Sequence, residues 1–147
     1  MRIELREFVA ADLGALDEIQ RDQAVYEMAV VKPRTSEAFA EHMEKVLADA
    51  GALFRVIVVD GEVAGTVGTF VRGHLQAGYA LAPKFWGRGV ATEALRQALA
   101  LEPRRPVFAE VVSSNVGSRR VLEKCGFQLV RSETEDDGVV VDVLRLS

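Results

Sequence analysis

The sequence predicts a mixed α/β domain in which one sheet is packed against helices, and three observations support this. The chain has 147 residues, 49% of them hydrophobic, which is enough for one domain with an ordinary core. Segments with alternating or β-branched apolar residues, typical of strands, occur along the whole chain. Segments with apolar residues at helical spacing lie between them. The predicted element order is therefore β-α-α-β-β-β-α-β-α-β-β.

The N-terminal segment predicts a strand followed by a helix. Residues 2–9 alternate apolar with charged side chains, which is the pattern of a half-buried strand. Asp12 stands where a helix N-cap is expected, because an aspartate side chain accepts hydrogen bonds from the free N–H groups of a first turn. The apolar residues of this first helix lie on one side: Leu13, Leu16 and Ile19.

A break and a second helix follow. The helical pattern is lost over residues 25–33, and Pro33 disfavours helix in the residue before it. Thr35 or Ser36 then caps a helix that Gly51 closes. The apolar residues of this second helix fall on one face: Phe39, Met43, Val46 and Leu47.

The middle of the chain predicts three consecutive strands. Residues 53–59 and 63–71 are rich in β-branched side chains, and Asp60-Gly61 between them is a strong signal for a two-residue hairpin. A further turn leads into a third strand over residues 75–81. These strands are expected to pair as an antiparallel meander.

The last third predicts a helix, a strand, a short helix and a final hairpin. The strand spans Val107–Val112 and the short helix Val116–Lys124. Residues 127–132 and 139–146 pair around a turn that contains Gly138. The helix that comes first carries its apolar stripe at Ala91, Ala94, Leu95, Ala98 and Leu99.

Composition excludes several classes of function. The formal net charge of −4 provides no overall basic field for nucleic acid or membrane, although local basic patches near residues 104–105 or 119–120 stay open. Cys125 is the only cysteine, so no internal disulfide or cysteine zinc site is expected. Residues 1–8 lack signal-peptide character, and no apolar run is long enough to span a bilayer. A soluble, cytoplasmic protein is expected.

Residues 85–95 contain two glycines, Gly87 and Gly89, between a predicted strand and a predicted helix. Glycines let the backbone approach a ligand, and a first helical turn presents free N–H groups, so this stretch suits a phosphate. A P-loop is excluded because the Gly-Lys-Ser/Thr ending is absent, and a dinucleotide fingerprint lacks its third glycine because Thr92 stands there. A glycine turn without a ligand is the alternative.

Flanking motifs complete a recognisable set with this stretch. They are Gly78-Tyr79-Ala80-Leu81-Ala82-Pro83, Asn115-Val116-Gly117-Ser118 and Glu123-Lys124-Cys125-Gly126-Phe127. With them the chain resembles the GCN5-related N-acetyltransferase superfamily, and within it the branch that acetylates ribosomal-protein N-termini (RimJ/RimL-like). The superfamily's acetyl-CoA motif is Gln/Arg-x-x-Gly-x-Gly/Ala, which Trp86-Gly87-Arg88-Gly89-Val90-Ala91 matches at the last two fixed positions; Trp86 replaces the first.

The resemblance implies a GNAT-like fold over residues 1–147, with a mainly antiparallel central sheet of about seven strands and four flanking helices. It implies acetyl-CoA as cosubstrate and no metal. The amine acceptor would be a protein N-terminus or a small molecule, and the protein a monomer or a homodimer. Nucleic acid and membrane are not expected partners. The alternative is a CoA-binding module with little or no catalysis.

The resemblance also assigns the cofactor residues. Backbone amides near the glycines would hold the CoA pyrophosphate: Arg88, Gly89, Val90, Ala91 and Thr92. The Arg88 side chain is either a phosphate contact or a solvated surface group. Trp86 is expected to pack against the sheet.

The strand from Tyr79 to Leu81 would pair with the pantetheine arm of CoA, in a gap between this strand and Val107–Val112. The backbone N–H of Leu81 would then donate to the thioester carbonyl. Asn115 and Ser118 would lie beside the pantetheine, and Asn115 is also a plausible cap of the helix that follows it.

Glu110 is the candidate general base, since only a neutral amine attacks a thioester. It shares a face of its strand with Phe108 and Val112. Partial burial among these apolar neighbours is expected to make its carboxylate a stronger base. Family members place a catalytic glutamate five residues before the asparagine, as here. The alternative is a structural carboxylate paired with an arginine.

The general acid is not identified by the resemblance, because Leu122 stands where a tyrosine is usual. The possible side-chain donors are Ser113, Ser114 and Tyr79; alternatively, water protonates the CoA thiolate or it leaves unprotonated. His42, His74 and Cys125 are expected to be structural or solvated. Acidic residues near the expected acceptor site offer either an attraction for a cationic amine or a solvated face. They are Glu27, Glu37, Glu41, Glu133, Glu135, Asp136 and Asp137.

Overall fold

A computed structural model describes all of residues 1–147 as one sheet with five helices. The strands are β1 (Ile3–Arg6), β2 (Leu53–Val59), β3 (Glu62–Arg72), β4 (His74–Leu81), β5 (Val107–Val112), β6 (Gln128–Thr134) and β7 (Val140–Leu146). The helices are α1 (Leu13–Gln20), α2 (Gln23–Ala29), α3 (Ser36–Ala48), α4 (Val90–Leu101) and α5 (Val116–Lys124). None of these helices combines the length and apolar composition that crossing a membrane requires.

The seven strands form a single sheet in the order β1-β2-β3-β4-β5-β7-β6. Neighbouring strands are antiparallel except β4 and β5, which are parallel. The predicted mixed, mainly antiparallel sheet is therefore confirmed. The Asp60-Gly61 turn has φ of 49° and 83°, the left-handed conformations that a tight hairpin between twisted strands needs.

The sheet is covered differently on its two faces. Side chains alternate between faces along a strand, so Val56 and Val58 of β2 pack against α1 and α3, while Ile57 and Val59 join the core beneath α4. The core under α4 and α5 also includes the residues of β5 that face these helices: Val107, Ala109 and Val111. No residue of β5 belongs to the cluster on the α1–α3 face, so β5 is open on that side.

The predicted apolar faces of the helices are confirmed for α4 and only in part for α3. All five predicted positions of α4 are buried, together with Val90. In α3, Phe39 and Met43 are buried, but Leu47 is 49% exposed, so its prediction as a core residue is wrong. Leu47 lies in the last turn of α3, outside the cluster that covers the first part of the helix.

Helix α2 was not expected, because the sequence pattern predicts a break over residues 25–33 and four helices in all. Asp22 caps this helix by accepting a hydrogen bond from the backbone N–H of Ala24, and Val30 ends it in a left-handed conformation. No residue of α2 is buried. A helix without a buried face lacks the apolar periodicity on which the prediction depends.

Asp12 precedes α1 as predicted but does not cap it. Its carboxylate instead accepts a backbone hydrogen bond from Val9 and two from the guanidinium of Arg6, each of the latter 2.8 Å long. These contacts keep the pKa of Asp12 below its ordinary value. The residue therefore ties β1 to the turn before α1.

Candidate active site

A cleft of about 830 Å³ opens where β4 and β5 separate. The two strands pair at one position only, Gln76 with Phe108, and diverge from there toward Leu81 and Val112. The gap expected between these strands is present. Residues of β4, β5, α4 and α5 form its walls, so segments far apart in the sequence meet around one space.

One end of the cleft is the N-terminus of α4. Gly87 and Gly89 have φ of 70° and 79°, and Gly89 is the N-cap without a side-chain hydrogen bond. Glu93 donates the first bond of the helix, to the carbonyl of Gly89. The N–H groups that precede it have no helical partner, and they belong to Val90, Ala91 and Thr92. This turn presents free donors and the positive end of a helix dipole, which favours an anion.

The edge of β4 presents a free backbone donor to the gap. Ala82 donates its N–H to the carbonyl of Ala64 on β3, at 2.8 Å. Because bonding directions alternate along an antiparallel pair, the N–H of Leu81 is directed away from β3 and toward the gap. The carbonyl of Leu81 accepts a hydrogen bond from Trp86 Nε1, at 2.8 Å. Trp86 packs against the core as expected, and it also fixes the peptide of Leu81.

The start of α5 lies on the opposite wall. Asn115 caps α5 by accepting a hydrogen bond from the N–H of Ser118, at 3.1 Å, as predicted. Tyr79 donates its hydroxyl to Ser118 Oγ, at 3.0 Å, which joins two residues that the resemblance assigns to the pantetheine arm. Burial raises the pKa of the Tyr79 hydroxyl, and the bond to Ser118 opposes that shift. All three side chains line the cleft.

Glu110 lines the cleft. The sequence predicts partial burial of its side chain, and this prediction is wrong. Glu110 shares a face with Phe108 and Val112 as predicted, whereas Val107, Ala109 and Val111 face the core. Glu110 itself is exposed, because no helix covers that face of β5. It forms no ion pair or side-chain hydrogen bond, so the alternative of an arginine-paired structural carboxylate is not observed.

The candidate proton donors are separated by their surroundings. Leu122 is buried in the core, so that position offers no polar group. Ser113 donates its hydroxyl to the buried carboxylate of Asp142, at 2.6 Å, and lies outside the cleft wall. Ser114 is exposed and is also absent from the wall. Tyr79 is the only one of the three sequence candidates that faces the cleft.

Two basic residues of α5 line the cleft and were not among the predicted site residues: Arg120 and Lys124. Arg88 is exposed, with its guanidinium 5.8 Å from the ring centroid of Phe85, and is not part of the wall. Cys125 contacts the carbonyl of Thr92 through Sγ, at 3.6 Å, so the end of α5 meets the first turn of α4. The four-residue spacing of the two basic residues on one helix was the available signal.

Of the seven acidic residues considered for the acceptor end, Glu135 and Asp137 line the cleft. Both belong to the turn between β6 and β7. Asp137 accepts a backbone hydrogen bond from Val139, at 3.0 Å. No group of three or more histidine, cysteine or acidic side chains is placed to hold a metal ion. His74 is exposed and lies 4.8 Å from the ring of Phe108, between centroids.

Residues 2–128 match the sequence model of a family described as Acetyltransferase (GNAT) domain. The chain is also similar to the probable N-acetyltransferase YjcK of Bacillus subtilis (strain 168), with 34% identity over 116 residues. That match covers 69% of this chain and 64% of YjcK, just under two thirds of the relative's length.

Solved structures share the fold at low sequence identity. A spermidine N-acetyltransferase from Vibrio cholerae, in complex with CoA and spermine, superposes with a TM-score of 0.85 and 16% identity, over 98% of this chain and 94% of that one. The ribosomal L7/L12 alpha-N-protein acetyltransferase RimL, in complex with CoA, gives a TM-score of 0.82 and 17% identity, over 98% and 93% of the two chains.

Proposed function

The chain belongs to the acetyltransferase (GNAT) family, and from that premise we propose that it transfers the acetyl group of acetyl-CoA to a primary amine. One observation carries the proposal: a single cleft runs from the open N-terminus of α4, past the free edge of β4, to the exposed carboxylate of Glu110. An anion site, a backbone donor and a base on one path suit acyl transfer from a phosphorylated carrier to an amine.

We assign the N-terminus of α4 to the pyrophosphate of CoA. The N–H groups of Val90, Ala91 and Thr92 have no helical partner and supply donors without a side chain between them and the ligand. Arg120 and Lys124 would add positive charge on the α5 side. The residues present therefore fit the group, and Arg88 has a smaller role than its place in the motif implies.

Acetyl-CoA supplies the acetyl group as a thioester. The N–H of Leu81, directed into the gap, would donate to the carbonyl oxygen and stabilise the negative charge that develops there. The Trp86 indole supports this role because its bond to the Leu81 carbonyl holds the peptide in place. Ser118 and Asn115 lie across the gap from this edge and would flank the pantetheine arm.

Two side chains would handle protons. Glu110 would take a proton from the incoming ammonium, directly or through water, since its carboxylate is exposed at the cleft and free of other partners. The raised pKa of Tyr79 keeps its hydroxyl protonated, so it is the donor that we propose for the end of the transfer. The charged group thus receives a proton and the neutral group gives one.

The acceptor is either a protein N-terminus or a small amine. The resemblance to the ribosomal-protein branch favours the first, and RimL is named for that activity, whereas the Vibrio cholerae structure is named for spermidine. We also propose a cytoplasmic location, which agrees with the use of acetyl-CoA. The buried Leu122, which stands where a tyrosine is usual, favours one alternative, a CoA-binding module with little or no catalysis.

Two measurements separate these functions. Calorimetric titration with CoA, ATP and NAD should give binding for CoA alone. Thiol release from acetyl-CoA should then rise with at least one member of a panel of amines and N-terminal peptides. Binding of CoA without amine-dependent thiol release would support the CoA-binding module instead. Failure of CoA to bind would overturn both functions.

A further inference from the structure

Aliphatic side chains from α2 and from the open end of β5 line one part of the cleft, and we define this part as the acceptor end. It is formed by α2, by the two residues that follow α2, and by β5 and β7. Its aliphatic residues are Val25, Met28, Val30, Val31, Val112 and Val141. The inference drawn from it rests on the proposed function.

Met28 of α2 and the two residues that follow this helix are not part of the core, whereas Val25 packs against the cluster under α1 and α3. No residue of α2 is buried, and Met28, Val30 and Val31 are 44%, 48% and 58% exposed. Val30 has φ of 54°, a conformation that β-branched side chains rarely adopt. Strained backbone of this kind is concentrated at functional sites. The strained turn that ends α2 therefore places apolar side chains at the cleft and not in the core.

The charges at the acceptor end are negative. Glu110, Glu135 and Asp137 line the cleft there. The two basic residues of the cleft wall both belong to α5, and the end of α5 contacts the first turn of α4, at the pyrophosphate end. Carboxylates beside an aliphatic surface match a ligand with one ammonium group and an apolar arm.

From this arrangement we propose that the acceptor is a primary amine with a single positive charge and an apolar arm, and not a polyamine. The carboxylates hold the ammonium near Glu110, and the arm packs on Met28, Val30 and Val31. Two sources share this chemistry: a free aliphatic or aromatic monoamine, and a peptide whose first residue has an apolar side chain. A polyamine of the same length would place an ammonium against the aliphatic surface without a partner.

A matched pair of amines tests the proposal. Hexylamine and 1,6-diaminohexane have the same chain length and differ by one ammonium group. The wild-type protein should use hexylamine with a kcat/KM at least about tenfold higher, because an unpaired charge would otherwise contact an apolar surface. The series from propylamine to hexylamine should gain up to about fourfold per methylene that becomes buried. Leu-initial and Gly-initial tetrapeptides test the peptide source in the same assay.

A substitution should reverse the preference. Met28→Glu places a carboxylate where the arm is expected to lie, so the ratio of hexylamine to diaminohexane kcat/KM should fall by about tenfold or more. Leu47→Glu is the control, since Leu47 is an exposed apolar residue on a helix but lies outside the cleft. This control should leave the ratio unchanged. Both positions are exposed, so neither change is expected to disturb folding.

Binding gives a readout that does not depend on turnover. Calorimetry on the protein saturated with CoA should show tighter binding of hexylamine than of diaminohexane. Equal or tighter binding of the diamine, or an unchanged ratio in Met28→Glu, would overturn this inference while leaving acetyl transfer intact. Preferential binding of hexylamine without any thiol release would instead support the apolar acceptor end and reject the transferase function.

Discussion

At the scale of single residues, two of the titratable groups that line the cleft have opposite environments. Glu110 is exposed on the open face of β5, and Tyr79 packs against the core and donates its hydroxyl to Ser118. Burial disfavours the charged form of a tyrosine and raises its pKa. The tyrosine is therefore uncharged near neutral pH. This difference is the physical basis for the two proton-transfer roles that we propose.

Replacing Glu110 by Gln should lower kcat/KM by about 100-fold near neutral pH, which is the usual contribution of a general base. The loss should shrink as the pH approaches the pKa of the amine, because the acceptor then arrives neutral. Tyr79→Phe provides the comparison. Its loss should be the same up to about pH 9, since the pKa of Tyr79 is raised above the ordinary value of 10.0 and its hydroxyl stays protonated below that value. The measurement is the pH profile of thiol release for both variants.

A loss of activity in Glu110→Gln that does not vary with pH would count against the base assignment. Calorimetric binding of CoA to both variants is the control for the cofactor site. It should be nearly unchanged for Glu110→Gln, because Glu110 lies beyond the gap from the pyrophosphate end. A weaker CoA complex in this variant would point to a structural effect.

At the scale of elements, the start of α4 combines two left-handed glycines with a helix that has no side-chain cap. Side chains usually satisfy the first N–H groups of a helix. Here they stay available because Gly89 has no side chain with which to bond them. This turn follows β4 in the same wall of the cleft. The backbone of one strand-to-helix connection would therefore bind both the thioester carbonyl and the pyrophosphate of acetyl-CoA.

Gly89→Ala should weaken CoA binding by about tenfold or more, because a side chain at φ of 79° strains the turn that presents the donors. Gly73→Ala is the matched control. Gly73 has φ of 72° in the turn before β4, and neither glycine has a heavy atom within 4 Å of an added Cβ. Both variants should lose a similar stability, about 1–2 kcal/mol. Calorimetry with CoA and thermal unfolding measure the two effects.

If Gly73→Ala weakened CoA binding as much as Gly89→Ala, the effect would come from general destabilisation. The α4 N-terminus would then lose its assigned role. A normal affinity in Gly89→Ala, with the expected loss of stability, would contradict the assignment as well. Only a loss of affinity confined to Gly89→Ala agrees with a backbone anion site.

At the scale of the whole molecule, Glu102 connects segments that are distant in the sequence. Its buried carboxylate accepts hydrogen bonds from Thr69 of β3, at 2.6 Å, and from Arg104, which also donates to the carbonyl of Gly51 before β2. The bonds from Arg104 lower the pKa of Glu102 to about 2, Thr69 adds to this shift, and burial opposes it. The end of α4 is thereby held to the centre of the sheet.

Glu102→Gln should lower the melting temperature at pH 7 by about 5 °C or more, since the buried network loses its negative charge and one of its two acceptor oxygens. The depressed pKa means that the stabilisation is complete above the ordinary value near 4.5 and is lost as pH falls through about 2. The difference in melting temperature between wild type and variant should therefore become smaller as the pH falls from 4.5 to about 2. Thermal unfolding from pH 7 to pH 2 measures it.

Glu62→Gln is the control for this prediction. Glu62 pairs with Lys84, but both side chains are more than half exposed, so the pair contributes little. Its removal should leave the melting temperature almost unchanged at every pH. An equal effect of the two substitutions would show that the charge of the chain, and not the buried network, controls the stability.

The sequence by itself determined the strands, four of the helices and the glycine turn, because each depends on residues within one short segment. It also placed Glu110 on the correct face of β5 and Asn115 at the cap of α5. Helix α2 escaped prediction because it buries no residue and so has no apolar period. Local pattern was sufficient wherever the element had a buried face.

The tertiary structure alone decided the surroundings of the site. Tyr79 and Ser118 meet although they are 39 positions apart, and the end of α5 reaches the first turn of α4. Glu110 is exposed because the helices on its side of the sheet cover β2 and not β5. Burial and hydrogen bonding are set by whichever distant segments pack nearby, and the period of a single strand carries no information about them.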